Sequence, residues 1–165
     1  MNPLNSPIEV GIRALVLLSE CFPRPLDVAQ LVYLDHAVLH SGDLDGGPSS
    51  LHPDLPIGPG ELGMRRRSME QGLLVLLRAG LAVMATSDEG FAYQATEESS
   101  SFLNLLEAPY VGSLKQRAAW LMTVYLREMT DVRQGMRQIT ERWVNGLDAG
   151  ARLGGEDGEQ CVHLR

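Results

Sequence analysis

Apolar residues recur at helical spacing through the first forty positions, and proline, glycine and aspartate mark where each run stops. Ser6-Pro7-Ile8-Glu9 reads as a helix start, with serine as N-cap, proline at the first helical position and glutamate placed to complete a capping box. Ile8, Ile12, Leu15, Ser19 and Phe22 then share one face of a 3.6-residue period and are expected to point inward, until Pro23 and Pro25 end the run. A second helix is expected from Asp27, with Gln30 three residues on, carrying Val28, Leu31, Val38 and Leu39 toward the core and ending near Ser41-Gly42. From there to Gly60 the density of Gly, Pro, Ser and Asp predicts an irregular loop. So long a loop inside a compact domain is usually functional or disordered.

After the loop, GELGMRRRSMEQGLLVLLRAGLA predicts a third helix with Met69, Leu73, Leu76 and Leu77 inward and an end at Gly80. LAVMA and FAYQA, joined by TSDEG, predict a β-hairpin. Helix, helix, helix, hairpin is the order of a winged helix-turn-helix, so the expected fold is mainly α with a small β-hairpin. The long loop stands where a short turn is usual. TEESSSFLNLLEAP predicts a short capped helix ended by Pro109. Leu114, Ala118, Leu121, Tyr125, Met129, Val132, Met136, Ile139 and Trp143 then draw one stripe along a helix expected from Ser113 to Asn145, about 45 Å long at the usual rise per residue. That is longer than a small winged domain covers, so Tyr125, Met129, Met136, Ile139 and Trp143 are candidates for partner contact. Residues 146–165 are glycine-rich, acidic and aperiodic, a disordered tail after a domain of residues 1–145.

Composition narrows the classes. The chain has 165 residues, 44% of them hydrophobic and 5% aromatic, enough for one domain with a real core. Its longest apolar run, Ala14 to Leu18, is far short of the roughly 20 residues of a membrane span. MNPLNSPIEVG has no signal-peptide pattern. Cys21 and Cys161 are far apart in sequence without a CxxC, which fits a reducing cytoplasm. The formal net charge is −7, and positive charge is in excess only in residues 61–80 and 113–145. Autonomous nucleic-acid binding calls for a broader basic face.

Candidate chemistry is sparse. His36 and His40 stand four apart, with Asp35, Asp43 and His52 nearby, but neither a cysteine pair nor an HExxH pattern completes a metal site, so no metal or cofactor is expected. Ser41, His40 and Asp43 have the residue types of a triad, yet sequence neighbours do not build one. Gly42 to Gly47 has no Walker lysine. Arg65, Arg66 and Arg67 fan across about 200° of a helix. They either hold the preceding loop through Asp43, Asp45, Asp54 or Glu61, or meet phosphate and guanine as the start of a recognition helix.

Three stretches, LHSGDLDGGPSSLHPDLP, GELGMRRRSMEQGLLVLLRAGL and SFLNLLEAPYVGSLKQRAAWL, together resemble the middle-component family of bacterial ABC-three-component systems, the group that includes Lamassu-type antiphage defence. The resemblance runs from about Pro7 to Trp143, and its most specific part is the HSGD…GGP-S-LHP loop with the arginines after it. Members often carry a basic residue after the LHP segment, where this chain has IGPGE. The resemblance implies a non-catalytic cytoplasmic subunit that bridges an SMC- or Rad50-like ATPase and an effector such as a nuclease in antiphage or anti-plasmid defence, with DNA met through the complex. It also implies that the loop, through His40, Ser41, Asp43, Ser50 and His52, serves as a docking surface that Arg65, Arg66 and Arg67 hold or extend. Two rivals are a winged-helix transcriptional regulator dimerising through its last helix and, more weakly, a metal-dependent hydrolase built on His36, His40 and His52.

Overall fold

Ser6 accepts a hydrogen bond from the Glu9 amide at 3.2 Å, and Pro7 opens the first helix, α1 (Pro7–Cys21). In the computed structural model, residues 5–53, 61–87 and 90–125 are described, together with 137, 138 and 141. Only the serine half of the expected capping box forms at α1 among these residues. At α2 (Val28–Leu39) both halves form: Asp27 accepts from the Gln30 amide at 2.7 Å, and the Gln30 side chain accepts from the Asp27 amide at 2.9 Å.

The one-face expectation for α1 fails. Val10, Ala14, Leu15, Val16, Leu17 and Leu18 are all almost completely buried, whereas Ile8 and Phe22 are 65% and 46% exposed. Those buried positions run round the helix because α1 is a central rod, packed by α2, by the strand at Gly90–Ala95 and by the later helices, and above all by α3 (Glu61–Arg78). Periodicity finds a face only where a helix has a wet side. Where α1 and α3 cross, a Cβ on Gly72 would lie 2.7 Å from the Gly11 nitrogen. Glycine at both positions lets the two backbones touch. Met69, Leu73 and Leu76 of α3 are buried and Leu77 packs at the core's edge, as their spacing predicts. Gly80, at φ +71°, turns the chain out of the helix, and the Leu81 amide closes the end on the Leu76 carbonyl at 3.0 Å.

β1 (Ala82–Ser87) and β2 (Gly90–Ala95) pair antiparallel, with Ala82 opposite Ala95 and Ser87 opposite Gly90. Residue 26, between α1 and α2, adds a third extended segment: Leu26 and Tyr93 exchange two backbone hydrogen bonds of 2.8 Å. α4 (Glu98–Asn104) follows, anchored by Ser99, whose hydroxyl donates to the Leu81 carbonyl at 2.6 Å.

Pro109 does not end that helix. It opens α5 (Pro109–Trp120), in the first turn where its missing N–H costs nothing, so the last helix begins before Ser113. Leu114, Ala118 and Leu121 are buried in the core. The start of the long stripe is therefore intramolecular. α5 continues into a π-helical turn, Leu121–Tyr125. Asp54–Gly60, Asp88-Glu89, Met129, Val132, Met136, Ile139, Trp143 and the 146–165 tail lie outside the described residues. No described helix is long and apolar enough to cross a membrane.

Candidate functional site: the braced loop after α2

The loop that follows α2 is built rather than loose. Its first three residues, Ser41–Asp43, form a 3-10 helix instead of irregular chain. The Ser41 hydroxyl, buried to 1% exposure, donates to the Pro48 carbonyl at 2.9 Å, and the Gly42 amide donates to Ser50 Oγ at 3.1 Å. Gly46 adopts a left-handed conformation, φ +72°. A side chain on Gly47 would run into the Ser41 carbonyl oxygen. The HSGD…GGP-S order thus records the residues that let the segment fold back on itself. Leu51 and His52 both donate their amides to the Leu39 carbonyl, at 2.8 and 3.2 Å, which also satisfies the end of α2.

Two braces from α5 hold the folded loop. Arg117, 8% exposed, donates from Nε and Nη2 to the Ser49 carbonyl at 2.9 and 2.7 Å, and from Nη1 to the Ser113 carbonyl at 3.1 Å. His52 Nε2 meets the Tyr110 hydroxyl at 3.0 Å. Beneath them Arg13 of α1 and Asp35 of α2 form a buried bidentate pair, Nε to Oδ1 at 2.6 Å and Nη2 to Oδ2 at 3.1 Å. Burial pulls the Arg13 guanidinium down, but the Asp35 carboxylate outweighs it and the group is held above its usual range. Burial raises the Tyr110 phenol.

The histidines are shifted mainly by burial, with neighbouring positive charge adding to it. Burial, then His40 and Arg65, lowers His36 to about 3. Burial, with Arg13 and His40 next, also lowers His52. The His36 and His40 rings lie 4.6 Å apart. These rings do not gather into a metal site: Asp35 is engaged by Arg13, and among the described residues no three His, Cys, Asp or Glu side chains could hold an ion.

The structure brings His40, Ser41, Asp43, Ser50 and His52 into one compact unit, but with different exposures. His40 and Ser41 are interior, Ser50 and His52 half-buried, and Asp43 exposed. Arg65 is half-buried, and Arg66 and Arg67 are exposed. Arg66 is paired with Glu70 of its own helix at 3.2 Å, an exposed contact of small energetic weight. Arg117 braces the loop from α5, and sequence reasoning missed it along with Tyr110 and the Arg13–Asp35 pair. A signal for the pair was present: one charge inside VGIRALVLL and one inside LVYLDHAVL, each in an apolar helix with no room for an unpaired ion. Tyr125 sits in the π-helical turn. The remaining stripe candidates, Met129, Met136, Ile139 and Trp143, lie outside the described residues.

No curated protein and no solved structure matches this chain. A family model does. The loop, its braces and the helices that carry them all fall inside residues 3–146, which match the ABC-three component (ABC-3C) system Middle Component 2, and the protein belongs to that family.

Proposed function

We propose that the chain is the non-catalytic adaptor of a Lamassu-type defence complex in the bacterial cytoplasm, bridging an SMC/Rad50-like ATPase and an effector such as a nuclease. A middle component works beside other subunits, and what favours a bridging role is the braced loop. Its Ser41 and Gly42 groups and its amides at Leu51 and His52 are satisfied inside the molecule, which leaves a pre-shaped outer surface and little ordering cost on binding. Asp43 and the outward parts of Ser50 and His52 meet the partner, while His40 and Ser41 shape the surface from within. Arg65, Arg66 and Arg67 extend it along the start of α3. The scaffold is read as a winged helix with a long inserted loop, supported by three helices followed by a hairpin and by the Leu26–Tyr93 pairing that adds the third extended segment. The domain spans residues 1–145, with 146–165 as a tail, and Tyr125, Met129, Met136, Ile139 and Trp143 supply a further contact.

Reconstitution with the ATPase and effector encoded beside it tests the reading. One heteromeric assembly is expected on size exclusion, with no ATP hydrolysis or DNA cleavage by the chain alone. Gly47→Ala, which cannot close the loop, should weaken the assembly while leaving the helical circular dichroism intact. Robust ATPase or nuclease activity of the isolated chain would sink the proposal. So would a homodimer binding a palindromic duplex at nanomolar affinity, the behaviour of a transcriptional regulator.

A further inference from the structure

The outer face of α3 carries positive charge on a chain that is negative as a whole. Met64, Arg67, Gln71, Leu74 and Arg78 are all exposed, and at 100° per residue they fall within an arc of about 80°, directly away from buried Met69, Leu73 and Leu76. The stripe is about 21 Å long, carries two positive charges and no negative one, and sits on a chain of net charge −7. Met64 and Leu74 are 66% and 45% exposed, large apolar groups set among the guanidiniums.

We infer that this stripe is a second docking surface, and that its occupant is an amphipathic helix of another subunit whose apolar residues are flanked by aspartate or glutamate. This deepens the adaptor reading and rests on it, since a bridge needs more than one contact; the stripe meets the loop's surface at Arg67 and runs on from it to Arg78. Charge complementarity selects an acidic occupant. Two apolar side chains ten positions apart, about 15 Å along the axis, suit a helix lying alongside more than a phosphate backbone. Duplex DNA is disfavoured by the sequence that follows: residues 81–95 contain no basic side chain and include Asp88 and Glu89. Phosphates laid along α3 would gain no support from such a segment and would be repelled by its acids.

A photo-crosslinking amino acid in place of Gln71, within the assembly reconstituted from the full chain and its two partner subunits, reads the occupant directly. The expected adduct joins α3 to an acidic helical segment of one subunit. Leu74→Asp and the double variant Arg67→Glu/Arg78→Glu should each weaken that subunit's binding at least about tenfold, with unchanged melting temperature because all three side chains are exposed. Arg67→Lys/Arg78→Lys should retain most of it. An adduct to DNA or to a second copy of the chain, or affinities within twofold of wild type in both variants, overturns the inference and leaves the adaptor reading standing. Failure of the wild-type chain to associate with either subunit overturns both.

Discussion

Replacing Arg117 by methionine keeps the aliphatic stem and removes the guanidinium, and the damage should appear in the loop rather than in α5. The bond from Nη1 to the Ser113 carbonyl is internal to the helix, so Arg117 holds the loop through Ser49 alone, mainly by the two bonds to its carbonyl, 2.9 and 2.7 Å, with a longer one of 3.3 Å to its hydroxyl. A hydrogen bond from a charged donor contributes about 1.5–3 kcal/mol net. Ser49 is exposed and its carbonyl can turn to water, so the low end applies. Removing a charge that is only 8% exposed relieves some desolvation and offsets the loss further. The net cost to loop closure is about 1–2 kcal/mol, a factor of roughly 5–30 in the open population. Amide hydrogen exchange reads this locally. Leu51 and His52, which both donate to the Leu39 carbonyl, should exchange faster by that factor, while the α1 amides near Leu17 keep their protection. Arg117→Lys, which retains the charge without the planar fork, should fall between the two. Unchanged exchange at residues 51 and 52 would show that Arg117 is not the brace, and an equal rise throughout α1 would mean that its role is global.

Two further outcomes follow from packing and protonation. Gly72→Ala should lower stability by about 1–3 kcal/mol, because its Cβ would meet the Gly11 nitrogen at 2.7 Å and the Val10 carbonyl carbon at 3.0 Å. Gly112→Ala, with nothing within 4 Å, should raise it by about 0.5–1 kcal/mol, and thermal melts that move the two variants in the same direction would refute the close crossing. His36 is held neutral in the fold, with its pKa lowered from 6.5 to about 3. The unfolded chain therefore takes up a proton below about pH 6.5 that the folded chain refuses, and stability is lost as pH falls. Between pH 7 and 5 the loss from His36 is about 2 kcal/mol, and His52, also lowered, adds in the same direction. Urea unfolding at the two pH values should show it, and His36→Gln should remove most of it; an undiminished pH dependence in that variant would disprove the assignment.

Signals confined to one turn of chain could be read before any tertiary contact was known. Asp27 and Gln30 cap α2 through bonds between residues three apart, Gly80 takes the positive φ that ends α3, and the short runs LAVMA and FAYQA about a glycine-containing connection set a hairpin. α3 showed its inward face because it has an outward one. The composition of residues 41–53 marked a loop, and its resemblance marked a family, since glycine and serine at those spacings are what the fold-back requires. Pairings across large sequence separations were hidden. Arg13 meets Asp35 over 22 positions and Arg117 meets Ser49 over 68, and only the packing of helices around α1 decides which charges become neighbours. The same packing took α1 from a one-sided helix to a buried rod and made glycine necessary at both 11 and 72. Periodicity records which residues avoid water, whereas partner choice depends on which surfaces the folded chain presses together.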